Sequence, residues 1–245
     1  MSKLFTAALA LMIISLSAVV LYAGDTQPGV SSVKVNPAEI QAKSILAYER
    51  QAQFYRSKVQ RNPQDASAHN MLGVSLQGLK RVDDAIKEYK QATKLAPDYA
   101  EAWNNLGSAF HLRNKLKDAV KHYRKAIALK PELTGPYRNL GTALLALGKF
   151  GDGVAAYRRA YELDTAIFDQ TGSSCAVPNL DWGMQYFAFA KISAAHGQID
   201  AALDFLQKAR IAGFKDFKKV ETDPDFAKVV VAQRYGSLKE EEFQR

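Results

Sequence analysis

The feature that most constrains this chain is that it repeats itself. Shifted by 34 residues, the sequence superimposes the segments 66–99, 100–133 and 134–167. A period of roughly 20 to 50 residues means that one supersecondary unit is stacked on copies of itself. The matches fall where two packed helices need them. In the middle segment Trp103, Leu106, Gly107, Phe110, Ala119, Tyr123, Ala126 and Pro131 take repeat positions 4, 7, 8, 11, 20, 24, 27 and 32. The first segment offers His69, Leu72, Gly73, Leu76, Ala85, Tyr89, Ala92 and Pro97 at the same places. The third offers Tyr137, Leu140, Gly141, Leu144, Gly153, Tyr157 and Ala160, with Thr165 in place of proline. Small residues at 8, 20 and 27 let two helices, A and B, approach closely, and the larger apolar residues fill the seam between them. Proline at 32 ends helix B, because it removes a backbone donor and clashes in a helix interior.

This pattern resembles the tetratricopeptide repeat (TPR). The resemblance implies an all-α fold, a right-handed TPR superhelix or α-solenoid of antiparallel helix hairpins, closed by helical caps that cover the terminal apolar faces. The expected organisation is a targeting segment over 1–24, a flexible linker over 25–35 and an N-terminal capping helix over 36–63. Three repeats then fill 64–168, followed by a loop over 169–182, a degenerate fourth repeat over 183–216 and a C-terminal capping segment over 217–245. The fourth copy places Tyr186, Phe189, Ala190, Ala202, Leu206 and Ala209 in register, with Phe214 where proline is expected. Asp98 is positioned to cap the second helix A, with Glu101 completing a capping box. Thr222, Asp223 and Pro224 suggest the start of a closing helix. The stretch from Gly213 to Phe226 resembles the tail that follows the last repeat in bacterial TPR proteins.

Residues 4–24 carry no charge and follow Lys3, the pattern of an export signal. Their helical length of roughly 30 Å would also span a hydrocarbon layer. Ala23 is a poor cleavage site because Leu21 precedes it by two, so a cleaved signal peptide and a retained membrane anchor both stay open. Either outcome places the repeats outside the cytoplasm, in the periplasm or at the membrane surface. The balance of 33 basic against 25 acidic residues gives a net charge of +8. That charge is dispersed along the repeats, which reads as a solvated surface. The single cysteine, Cys175, forms no internal disulfide.

No constellation for catalysis emerges. His69, His111, His122 and His196 fall in four different helices, none with a second histidine or cysteine at metal-ligand spacing. The glycine-rich run at 148–153 lacks the full phosphate-loop pattern and a preceding strand, and reads as the turn between helices A and B of the third copy. The chain is expected not to be an enzyme, and to use no cofactor, metal, small-molecule substrate or nucleic acid.

Function is therefore expected from the concave face, lined in this family by helix A at positions 2, 5, 6, 9, 12 and 13. Those positions hold Asn70, Asn104, Asn105, His111, Arg138, Asn139 and Thr142, the expected peptide-binding residues. An asparagine amide both donates and accepts, so a row of them can satisfy the backbone of an extended peptide. The row resembles the asparagine ladder of O-GlcNAc transferase through Asn105 and Asn139 at position 6, while Met71 departs from it. Of the carboxylate clamp of chaperone-binding TPRs only Asn105 is present. The expected function is a protein–protein interaction scaffold. The alternative is a structural or assembly component of the envelope, acting by self-association or by contact with an anionic surface through its lysine-rich face and terminal helices.

Overall fold

The computed structural model describes residues 36–168 and 181–240. The targeting segment, the linker and most of the 169–182 loop, with Cys175, lie outside the described residues. Every regular element among those described is helical. They form two compact units, one ending at Pro97 and the other built from the residues after it.

The first unit contains α1 (Pro37–Arg61), α2 (Ala66–Gly78) and α3 (Val82–Leu95). Asn36 caps α1 by accepting from the Ala38 amide, and Asp65 caps α2 by accepting from Ala68 at 2.9 Å. α2 and α3 form a hairpin, and α1 packs against α2. Ala52 of α1 is buried, and the Tyr48 ring lies over Gly78, leaving no room for a side chain there.

The second unit contains α4 (Ala100–Leu112), α5 (Leu116–Leu129), α6 (Thr134–Ala146), α7 (Phe150–Leu163), α8 (Trp182–Ala195) and α9 (Ile199–Ile211). Successive pairs form hairpins, α5 packs on α6, and α7 packs on α8. A 3-10 turn, Thr165–Phe168, follows α7. The chain closes with α10 (Lys218–Thr222), a 3-10 turn at Pro224–Phe226, α11 (Ala227–Val230) and α12 (Gln233–Glu240). The closing helix expected to start at Thr222 is thus broken into short pieces, with the Asp223 side chain accepting from the Asp225 amide to start the 3-10 turn.

Each hairpin is set by one close approach. A Cβ built on Gly73, Gly107 or Gly141 would fall 2.6, 2.7 or 2.8 Å from the ring of Tyr89, Tyr123 or Tyr157, so the position-24 tyrosine occupies the space the glycine vacates. All three tyrosines are essentially fully buried, as are Ala92, Ala126, Ala160 and Ala209 at position 27. In the last hairpin Ala190 and Leu206, both buried, replace the glycine and the tyrosine, a change that keeps the summed volume similar.

The A-to-B turns share a backbone device. Position 15 has a positive φ in every copy, at Lys80 (62°), Asn114 (57°), Gly148 (73°) and Gly197 (74°). The next residue's amide reaches back to position 11, as in Lys115 N to Phe110 O at 2.9 Å. These bonds satisfy carbonyls that the helix end would otherwise leave orphaned. The turn of the third copy is confined to Leu147–Lys149, and Gly151 and Gly153 already belong to α7. The expected capping box at Asp98 and Glu101 does not form. Tyr99 takes the N-cap position of α4 without a side-chain capping hydrogen bond, and Glu101 pairs instead with Lys130 at 3.1 Å. Helix ends in a stacked repeat are held by packing, so a side-chain cap is dispensable there.

Gly107→Ala is expected to lower stability by about 1–3 kcal/mol in urea unfolding, because the added methyl meets the buried Tyr123 ring. Gly151→Ala, exposed in α7 with nothing within 4 Å of its Cβ position, is expected to raise stability by up to about 1 kcal/mol through helix propensity. Equal shifts of the same sign for the two variants would refute the close-approach account.

Candidate functional site

The helix A residues of the second unit come together along α4 and α6. Asn139 donates from Nδ2 to Asn104 Oδ1 at 3.0 Å and to Ser108 Oγ at 3.4 Å. Asn104 in turn donates from Nδ2 to Asn105 Oδ1 at 3.4 Å. The amides form a chain running from α6 to α4 and along α4, and all three residues are half-buried. Asn139 enters these bonds only as a donor, and among the described residues nothing donates to its Oδ1. Arg138, also half-buried, sits beside Asn139, and its Nε is buried without a hydrogen-bond partner among the described residues. The arrangement offers amide acceptors and donors together with one guanidinium, a set suited to a polypeptide backbone.

Three of the expected binding residues are closed off. Asn70 is buried in α2, in the other unit, at 3% exposure. Thr142 is buried in a polar chain through the hairpin seam. Gln185 Nε2 donates to Tyr157 Oη at 2.7 Å, Tyr157 Oη is 2.7 Å from Thr142 Oγ1, and Thr142 donates to the Arg138 carbonyl at 3.1 Å. Burial pushes the Tyr157 phenol up to about 12 despite these hydrogen bonds, so it stays neutral. The Thr142 hydroxyl is therefore committed to the fold. His111 is buried at 4% exposure with its ring edge-on to Tyr123, and its Nε2 has no hydrogen-bond partner among the described residues.

The other histidines serve packing. His69 lies between the Glu88 carboxylate at 2.6 Å and the Pro63 carbonyl at 3.1 Å. His122 stacks on Trp103 and Phe110, and His196 bonds its own helix through the Ile192 carbonyl and packs on Tyr161.

Two participants fall outside the expected peptide-binding residues. Ser108, at position 9, joins the amide chain and also accepts from Tyr123 Oη at 3.4 Å. Lys191, at position 9 of the fourth copy, meets two carboxylates from the C-terminal segment, Asp223 and Asp225, the latter at 2.9 Å. Reading positions 5 and 9 in the degenerate copy would have located Lys191. Nothing in the sequence pairs it with residues more than thirty positions downstream.

Burial depresses His111 from 6.5 to about 4. Below pH 6.5 the unfolded chain binds a proton that the folded chain refuses, so His111 supports stability above that pH and the support is lost as pH falls towards 4. The expected loss across this window is about 3 kcal/mol. His111→Phe should flatten the difference in urea midpoint between pH 7 and pH 4 by a matching amount, and an unchanged difference would refute it.

Comparison with known proteins bears on the fold. The tetratricopeptide-repeat family matches residues 70–133 and again 137–166. No curated protein matches the sequence. A crystal structure of MamA is similar at 20% identity, covering 74% of this chain and 97% of that one with a TM-score of 0.50. The crystal structure of YrrB, described as a TPR protein with an unusual peptide-binding site, is similar at 18% identity, covering 77% and 94% with a TM-score of 0.52. A chain of the APC/C hetero-tetramer Cut9–Hcn1 aligns at 14% identity, covering 83% of this chain and 36% of that one, with a TM-score of 0.50. At these identities the shared property is the architecture. Helix hairpins with glycine against tyrosine, repeated at 34 residues and matched by the family over two stretches, make this chain a tetratricopeptide-repeat protein.

Proposed function

We propose that this protein is a non-catalytic protein–protein interaction scaffold that holds an extended peptide, or an extended segment of a partner protein, along α4 and α6. The observation that carries the reading is the half-buried amide chain Asn139, Asn104, Asn105 beside Arg138, with the Asn139 Oδ1 acceptor left over. An amide row bonds peptide N–H and C=O groups whatever the side chains, and Arg138 adds preference for a carbonyl or carboxylate. The peptide-binding site named for YrrB, a protein of similar architecture, supports the same use of the fold. The site of action is extracytoplasmic, in the periplasm or at the membrane, on the strength of the uncharged 4–24 segment behind Lys3.

A second reading, self-association or contact with an anionic envelope surface, is favoured by α1. Ile45, Leu46 and Phe54 stand exposed there, and Lys58 sits 5.5 Å from the Phe54 ring centroid. Scattered apolar residues are ordinary on a surface, so this reading ranks below the groove.

The double variant Asn105→Ala, Asn139→Ala is expected to remain helical by circular dichroism. Its recovery of partners in a pull-down from envelope extract is expected to fall at least about tenfold, the loss of two or more hydrogen bonds. Unchanged recovery would overturn the groove reading. If α1 drives assembly, Phe54→Ser should disperse a light-scattering species seen with the unaltered chain, and a monodisperse monomer from the start would exclude that role.

A further inference from the structure

The groove face is treated differently in α8. Counted from Gly183, positions 5 and 9 are Phe187 and Lys191, the places taken by Asn104 and Ser108 in α4 and by Arg138 and Thr142 in α6. Both are covered by the chain's own C-terminal segment. The 3-10 turn Pro224–Phe226 packs on α8. Lys191 is paired with Asp223 and, at 2.9 Å, with Asp225, and Arg158 of α7 lies 3.8 Å from Asp225. Phe226 is fully buried, stacked at 5.6 Å on Phe187, which is stacked in turn at 4.5 Å on Phe214. The segment thus reads as a ligand in outline: two carboxylates on two cations, then an aromatic side chain in an aromatic pocket.

We propose that the α8 surface formed by Lys191, Arg158, Phe187 and Phe214 recognises acidic–aromatic segments of the Asp-x-Asp-Phe kind in a partner protein, and that residues 223–226 fill it in the free protein. The proposal rests on the groove-binding reading and names the chemistry of the partner. Opposite charges select the acidic pair, and the buried ring supplies the apolar anchor at the centre of the contact. A partner segment competes with a tethered occupant, so binding in the unaltered chain is attenuated by the fraction of time the segment is seated.

The test uses a fluorescein-labelled peptide of residues 222–230 and the full chain, read by anisotropy. The Asp223→Asn, Asp225→Asn variant removes the charges that seat the segment while leaving the cations in place. It is expected to bind the peptide at least about tenfold more tightly than the unaltered chain. Adding Lys191→Met to that variant should abolish the gain, and a peptide with asparagine for both aspartates should bind neither chain. Equal binding by the variant and the unaltered chain overturns the proposal and leaves the segment a structural cap. So does a dimer by light scattering in which two copies exchange the segment. If the variant does not fold, hydrogen exchange on the unaltered chain decides. Excess peptide should raise amide exchange over 222–230 several-fold, and unchanged exchange overturns the proposal. Failure here with asparagine-dependent pull-down intact removes only the partner chemistry, and the converse removes only the α4–α6 groove.

Discussion

The contact on which the rest depends is the one between the position-8 glycine and the position-24 tyrosine. Its three instances, Gly73 with Tyr89, Gly107 with Tyr123 and Gly141 with Tyr157, leave no space for even a methyl group. Because the ring fills the missing side chain's volume, the distance between helices A and B is set by an aromatic thickness at one point. That point fixes which residues of helix A turn inward and which remain on the groove face. The asparagines meet because α4 and α6 present the same face, and the glycine–tyrosine contact sets that face in each.

Much of the fold was legible in the sequence because it is written as repeated small-large pairings at fixed spacing. The hairpin seams follow from residues such as Ala126 and Tyr123, whose sizes state the packing directly. The turns were less legible. Lys80 and Asn114 hold a left-handed backbone at the place where Gly148 and Gly197 do the same, and only the glycines advertise it. The capping box at Asp98 was a local rule that the structure does not use: α4 begins after Tyr99 without a side-chain cap.

The candidate site was legible to the level of a helix face and no further. Period alone put Thr142 and His111 with the asparagines, yet Thr142 bonds inward to Tyr157 and His111 is buried against Tyr123. The 3.6-residue period gives a direction to within about one residue's arc, whereas a neighbouring helix decides whether a polar group on the margin faces solvent or the seam. Lys191 was hidden for a different reason. Its partners lie in a segment whose own pattern announces only a chain end, and long-range charge pairing leaves no periodic trace.

The amide chain has a polarity. Asn139 gives its N–H to Asn104, and Asn104 gives its own to Asn105, so the dipoles of successive amides point the same way. In the groove proposed above, a backbone N–H donated to Asn139 Oδ1 would join the head of this series and strengthen each link behind it, as hydrogen bonds in line polarise one another. The row is thereby selective at its open end: in that groove it would take a hydrogen-bond donor there in preference to an acceptor.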